Sequence, residues 1–269
     1  MILAVVGLVV VGLAPVAGGV SAAGAAPTRV HLIQGVPDTS VDVAIGGRTA
    51  ITDLGFRGTY DLSALGSRLP AVTVTRAGTG EVLLAAGDVG LPEGENVTVV
   101  LHLKTDGSVG LASFANDVSP LAAGQSRLIV RHLAAAPPVD VLSAGRTVFE
   151  NLANGGEVQA DLPPGTVSAS LVPAGTAGPA ILGPADVTLE AGTAVIVYGL
   201  GSIERNTMAV ATETIPGLGP RPTGVDSGNS AVAGVGGGSG GPSPAWAWLA
   251  PLGMAVVVLG RRVPLRRRH

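Results

Sequence analysis

Val41-Asp42-Val43-Ala44-Ile45-Gly46-Gly47-Arg48-Thr49 sets apolar side chains at alternate positions and then a glycine pair, the pattern of a strand running into a tight hairpin. At a distance of 98 residues, Val139-Asp140-Val141 is followed by Gly145-Arg146-Thr147. The same offset relates Asp88-Val89, Gly94 and Val97 to Asp186-Val187, Gly192 and Val195. Solenoid units run to about 20 to 50 residues, so a repeat this long is a domain that can close its own core. The chain therefore reads as a duplicated domain between two hydrophobic ends.

Working outward from that hairpin, Val72-Thr73-Val74-Thr75, Val97-Thr98-Val99-Val100-Leu101-His102-Leu103 and Val167-Ser168-Ala169-Ser170-Leu171 alternate in the same way. Between residues 28 and 214 no helical period persists without a Gly or Pro to interrupt it. Short β-branched runs with Gly and Pro between them predict an all-β chain. The expected architecture is two tandem antiparallel β-sandwich domains of immunoglobulin-like kind, over residues 28–120 and 126–214.

The two ends read differently. Residues 2–17 are almost wholly apolar and small residues follow through Ala26, so 1–25 reads as a signal peptide, with Ala23-Gly24-Ala25 as the small-x-small site and Ala25 the cleavage candidate. No Lys or Arg precedes the run, which is atypical; a buried core helix is the alternative. Residues 215–244 are rich in Gly, Pro and Ser and form a linker. Residues 245–260 follow as a transmembrane helix opened by Trp246 and Trp248 and closed by Arg261 and Arg262. At about 1.5 Å per residue the helix is short for a core of about 30 Å, and extension through Val263 and Leu265 with snorkelling arginines completes the span. The basic tail 261–269 is then cytoplasmic and the body extracellular. Pro220-Arg221-Pro222-Thr223-Gly224 lacks the leading Leu-Pro of a sortase signal, so plain anchoring in the cell membrane is expected over attachment to the wall.

Composition narrows the function classes. The net charge of −3 includes five arginines at 261, 262, 266, 267 and 268, and removing them leaves −8 for the rest. An acidic body has no attraction for a phosphate backbone, so no nucleic-acid partner is expected. The absence of cysteine excludes disulfides, thiolate catalysis and Cys-ligated zinc. Aromatics make up 3 % of the chain, so the cores must be aliphatic, and Phe56, Tyr60, Phe114, Phe149 and Tyr198 are too few for a stacking platform. One lysine, Lys104, against fifteen arginines suggests a GC-rich bacterial genome.

Several motifs recur in order. Arg127-Leu128-Ile129-Val130-Arg131-His132, Pro137-Pro138-Val139-Asp140-Val141, Asn151-Leu152, Leu162-Pro163-Pro164-Gly165-Thr166, Pro173-Ala174-Gly175-Thr176 and Leu189-Glu190-Ala191-Gly192-Thr193-Ala194 together resemble the DUF4397 family of bacterial extracytoplasmic domains. The first copy is similar through Arg29-Val30-His31, Pro37-Asp38, Val41-Asp42-Val43, Asp53-Leu54 and Leu91-Pro92-Glu93-Gly94, with Leu62-Ser63-Ala64-Leu65-Gly66 where the family has its Leu-Pro-Pro-Gly-Thr turn. The resemblance implies two tandem copies of an exported β-sandwich, of actinobacterial type, and assigns no catalytic residue.

Asp42 and Asp140 hold equivalent places between inward valines, so alternation turns their carboxylates from the core. They read either as solvated or turn-bonding residues that fix register, or as surface contacts to calcium or a partner. Asp88 and Asp186 lack the further oxygens of a hard-cation site. His31, His102, His132 and His269 form no zinc-binding spacing, and Gly107-Ser108-Val109-Gly110 is no nucleophile elbow. Asn96-Val97-Thr98 is a glycosylation triplet within an expected strand. No catalytic, metal or cofactor site is expected. The expectation is a non-enzymatic, single-pass surface protein whose partner is an unknown extracellular protein or envelope component. The alternatives are an extracellular enzyme, which a pocket gathering His31 or His132 with two carboxylates would favour, and a passive spacer.

Overall fold

The computed structural model describes residues 29–66, 68–92 and 96–220. The signal segment with Ala25, the linker beyond residue 220, the helix 245–260 and the arginine tail lie outside the described residues. Among the described residues no helix is long and apolar enough to cross a membrane.

The described chain is all-β, with one 3-10 turn at Ser63–Leu65. The first module holds β1 (Arg29–Gln34), β2 (Val41–Ile45), β3 (Arg48–Leu54), β4 (Thr59–Asp61), β5 (Arg68–Leu69), β6 (Thr73–Arg76), β7 (Val82–Ala85), β8 (Val89–Gly90), β9 (Asn96–Leu103) and β10 (Val109–Ala115). The second holds β11 (Ser126–Ala135), β12 (Val139–Ser143), β13 (Arg146–Leu152), β14 (Gly156–Leu162), β15 (Gly165–Pro173), β16 (Leu182–Leu189), β17 (Ala194–Ser202) and β18 (Ala209–Ile215). In the first module the outer sheet runs β3-β2-β6-β7 and the inner sheet β10-β9-β1-β4. In the second the outer order is β13-β12-β15-β16 and the inner order β18-β17-β11-β14, strand for strand the same path. Where the first copy departs from the Pro-Pro-Gly turn, it inserts the 3-10 turn and the small β5-β8 ribbon.

The inner sheets correct the antiparallel expectation. In each of them the central pair is parallel: β1 runs beside β9 from Arg29↔Asn96 to Gln34↔Leu101, and β11 beside β17 from Arg127↔Ala194 to Ala135↔Ser202. A parallel pair needs a long crossover, and here the strands of the outer sheet supply it.

Alternation along the inner strands then builds three cores. Val97, Val99, Leu101 and Leu103 of β9 turn toward the outer sheet and meet Val41, Val43 and Val74. Leu128 and Val130 of β11 do the same in the second module, against Val139, Val141 and Leu171. The other face of each inner sheet is also covered, because the two inner sheets pack on each other through Ile33, Val100, Ile129, Leu133, Ile196, Tyr198 and Leu200. The result is a four-layer β stack. Every position of β9 and β11 is buried for this reason. With roughly 1.5–3 kcal/mol for each fully buried Val, Leu or Ile, the seam between the modules is a core in its own right and locks them into one body.

Candidate functional site

Where β10 of the first module faces β14 and β11 of the second, the seam is filled. Arg131 rises from β11 into it with 0 % exposure. Its guanidinium lies 4.2 Å from the centre of the Phe114 ring and 5.4 Å from that of Tyr198. It donates through Nε to Glu157 Oε2 at 2.6 Å, through Nη1 to the Tyr198 hydroxyl at 3.1 Å and through Nη2 to Asn116 Oδ1 at 2.7 Å. Asn116 in turn donates to Asn96 Oδ1 and Thr98 Oγ1, both at 2.8 Å. Every polar group that the seam buries here has a partner, as a low-dielectric setting requires. At the end of this side Arg127, paired with Asp161 of β14, ties the inter-module segment down through Asp117 and Ser119.

Across the seam, where β4 of the first module faces β18 of the second, there is instead an open cleft of about 330 Å³. It is lined by His31, Ile33, Arg57, Thr59, Tyr60, Asp61 and the β18 run Ala211, Thr212, Glu213, Thr214. Glu213 accepts from His31 Nδ1 on Oε1 at 3.0 Å, and on Oε2 from the Tyr198 hydroxyl at 2.8 Å and Thr98 at 3.1 Å. Burial, reinforced by the Glu213 charge, pushes the Tyr198 hydroxyl well above the ordinary phenol range, so it remains a donor. Asp61 accepts from the Ser63 hydroxyl and, at 2.8 Å, from the Ser63 N–H, which hold its carboxyl below the usual range.

The cleft residues His31, Asp61 and Glu213 are thus the cluster of one imidazole and two carboxylates that would favour an enzyme. Within it the histidine and both carboxylates are already engaged by the protein's own groups. Among the described residues no hydroxyl is hydrogen-bonded to the remaining His31 nitrogen, as a nucleophile and base pair would be.

Residues 28–142 match the profile of DUF4397, a domain of unknown function. The DUF4397 match runs through the whole first module and into β12 of the second. No curated protein matches the chain in sequence. Two solved structures are similar at a low level. The Bacillus anthracis TIE protein is 11 % identical, with a TM-score of 0.19, over 73 % of this chain and 32 % of that one. The matched region thus spans about a third of the TIE protein's length. A proposed cell adhesion protein from Bacteroides ovatus is 10 % identical, with a TM-score of 0.18, over 70 % of this chain and 97 % of that one.

Within the matched DUF4397 segment, Asp42 bonds the backbone rather than pointing free. Its Oδ1 accepts the Asp53 N–H at 2.8 Å. In the second module Asp140 Oδ1 accepts the Asn151 N–H at 2.7 Å and Oδ2 the Gly175 N–H at 2.8 Å. Asp53 and Asn151 both sit at φ 54, beside the register shifts of β2/β3 and β12/β13. Each aspartate therefore holds a β-bulge in place. Asp140 is 6 % exposed and offers a partner little surface.

The other residues singled out by the sequence scatter, with Asp88 paired to Arg68 at the first module's surface. His102 and His132 are buried away from the cleft, and burial lowers the pKa of each. Asn96 and Thr98 are buried in β9. Sequence reasoning missed Arg57, Asp61, Arg131, Glu157 and Glu213. Arg131 carried a signal, a charge inside the apolar run Leu128 to Leu133.

Proposed function

We propose that this chain is a non-enzymatic, actinobacterial cell-surface protein that presents two tandem DUF4397-type, immunoglobulin-like sandwiches outside the cell. A signal peptide would export it, and the linker, which begins after the packed Ile215 and Leu218 rather than at 215 and runs to 244, the helix 245–260 and the cytoplasmic tail 261–269 would hold it in the membrane. Its role is adhesion, envelope structure or partner binding, with the seam cleft as the contact site.

The observation that carries this reading is the fused seam, which makes two modules one rigid body and leaves one polar cleft at their junction. Rigid scaffolds that place polar groups at a domain junction are the usual setting of ligand sites. The engagement of Glu213 by three internal donors favours binding over proton transfer at that carboxylate, since a general base needs a free lone pair in reach of its substrate. The gathering of His31 with two carboxylates favours an extracellular enzyme as the second reading.

The test is to express the full chain in a GC-rich Gram-positive host, fractionate the envelope, and map the mature termini by intact mass and outside protease. Recovery in the membrane with an N-terminus near Ala26 and accessible modules is the expected result. A soluble cytoplasmic product of full length overturns the reading.

A further inference from the structure

The two sandwiches share one frame but are not equally filled. In the first, Leu101 of β9 projects between the sheets with no exposure, beside Leu111 of β10, and Ile45 and Val72 meet it from the outer sheet. Strand pairing locates the same places in the second. The row Gln34↔Leu101↔Leu111 is matched by His132↔Gly199↔Val210. Ile45↔Arg48 is matched by Ser143↔Arg146. Val72 precedes Thr73 of the pair Ala44↔Thr73, and Ala169 precedes Ser170 of the matching pair Leu142↔Ser170. All four places thus carry a smaller side chain in the second sandwich. Phe149 and Leu171, standing where the first has Ile51 and Val74, take back part of the space. What remains is an apolar slot of about 50 Å³.

The slot follows from these side chains and not from the fold, since the same frame closes over Leu101. It reaches the surface. Val197 is half-buried in the place where the first sandwich has the fully buried Val99, and Val148 on the rim is 51 % exposed. An unfilled apolar cavity costs stability in proportion to its volume. Such a cavity also stays dry and takes up apolar guests, because a water molecule needs polar partners on its walls. No charged side chain lines this one. Of its two serines, alternation turns Ser170 outward with Leu142 and Ser143 inward with Val139 and Val141, at the last position of β12.

Chemistry and size together define the guest. Aliphatic walls exclude ions and polyols, which would lose their hydration and gain no hydrogen bonds in return. A cavity of about 150 Å³ accommodates one benzene ring. A slot a third of that size admits the end of an unbranched alkyl chain and rejects a ring. A hydroxyl on that chain is met by Ser143.

We propose that the second sandwich binds a short unbranched alkanol, its alkyl end between Gly199 and Leu171 and its hydroxyl at Ser143. The site is separate from the seam cleft and does not depend on it. The experiment is methyl NMR of the full-length protein in digitonin, a detergent whose fused rings exceed the slot, titrated with hexan-1-ol and with cyclohexanol, its six-carbon ring counterpart. Hexan-1-ol is expected to saturate, with nuclear Overhauser contacts from its terminal methyl to Leu171 and Val197 and none to Val74 and Val99. Cyclohexanol should bind about tenfold more weakly or worse, within the range that one ill-fitting methylene produces in an apolar pocket. Gly199→Leu installs the residue of the first sandwich. Its Cβ would lie 3.2 Å from Leu171 Cδ1, the movable end of a side chain, so the variant retains or raises the melting temperature while abolishing the contacts. Gly199→Ala and Ser143→Ile fill the slot more gently, and each should weaken hexan-1-ol about tenfold or more while the fold is kept. Equal contacts in the two sandwiches, equal binding of cyclohexanol, unchanged binding in these variants, or no saturable contact at Leu171 and Val197 each overturns the proposal.

Discussion

Arg131 of the second module lies over the ring of Phe114 of the first, 4.2 Å from its centre, with no solvent exposure. A buried guanidinium is tolerated only when its charge is paired and its donors are met, and Glu157, Tyr198 and Asn116 do both. Arg131→Met removes the cation but leaves Glu157, Tyr198 and Asn116 facing an apolar chain. Loss of one partner of a buried pair costs about 3–5 kcal/mol, and the partial exposure of Glu157 places this variant near about 3 kcal/mol. Urea unfolding read by far-UV circular dichroism should show it. Phe114→Leu in the same background should couple to Arg131 by about 0.5–2 kcal/mol in a double-mutant cycle.

The two Val-Asp-Val aspartates do the same work with different burdens. Asp42 serves one N–H at a more exposed site, and Asp140 serves two where the 173–175 turn covers it. Asp42→Ala is expected to cost about 1 kcal/mol and Asp140→Ala about 2–3 kcal/mol, from the charge-assisted bonds each forfeits. Denaturant midpoints of the two variants, measured side by side, check the order. Equal losses would mean that the covering turn carries no share of the energy.

Much of this fold is legible in the chain because strand alternation is a local signal. Val41 to Ile45 reads as a strand with the bounds the structure gives it, and the alternating run Val97 to Leu103 lies within β9. The third core is not legible for a physical reason. Val100 and Ile129 face away from their own outer sheets, and alternation alone cannot say whether such a face meets water or another module. The parallel pairing of β1 with β9 is hidden as well, because their partnership depends on the path of the chain between them. The candidate site lay in the differences between the repeats rather than in their shared motifs. Ile33 against Arg131 and Arg57 against Gly155 were present in the sequence, but they acquire meaning only when the sheets show that those positions face the seam.

Gly35 tests how closely the modules are fitted. A Cβ there would lie 2.6 Å from the Leu101 carbonyl oxygen and 2.8 Å from a methyl of Leu200 in the other module. The Gly35 N–H is bonded to that same carbonyl at 2.7 Å, so the backbone cannot retreat without losing the bond. Overpacking of a core costs about 1–3 kcal/mol. Gly35→Ala should fall at the upper end, and Leu200→Ala should restore part of the loss by clearing one of the two contacts. Thermal melts of the single and double variants decide this, and full additivity of two losses would refute the fit.

His132 and His102 set the acid side of stability. His132 is fully buried; its Nε2–H donates to the Pro137 carbonyl at 3.1 Å, and its Nδ1 has no partner among the described residues. The Nδ1–H of His102 donates to the Leu103 carbonyl at 3.1 Å. Burial holds both imidazoles below their ordinary value, with Lys104 and His132 adding to the effect at His102. The unfolded chain takes up these protons near about pH 6.5, whereas the folded chain stays neutral to lower pH. Stability from these groups is therefore complete above about pH 6.5, falls as the pH drops through the interval down to the folded values, and levels off below them. Asp61 and Asp106 are held below the usual carboxylate range and add their losses only at more acidic pH, below about 4. The melting temperature should thus decline between about pH 6.5 and 5, before any carboxylate contributes. His132→Leu should flatten that decline, since an aliphatic side chain has no proton to gain in the unfolded state, and a slope unchanged in this variant would assign the acid sensitivity elsewhere.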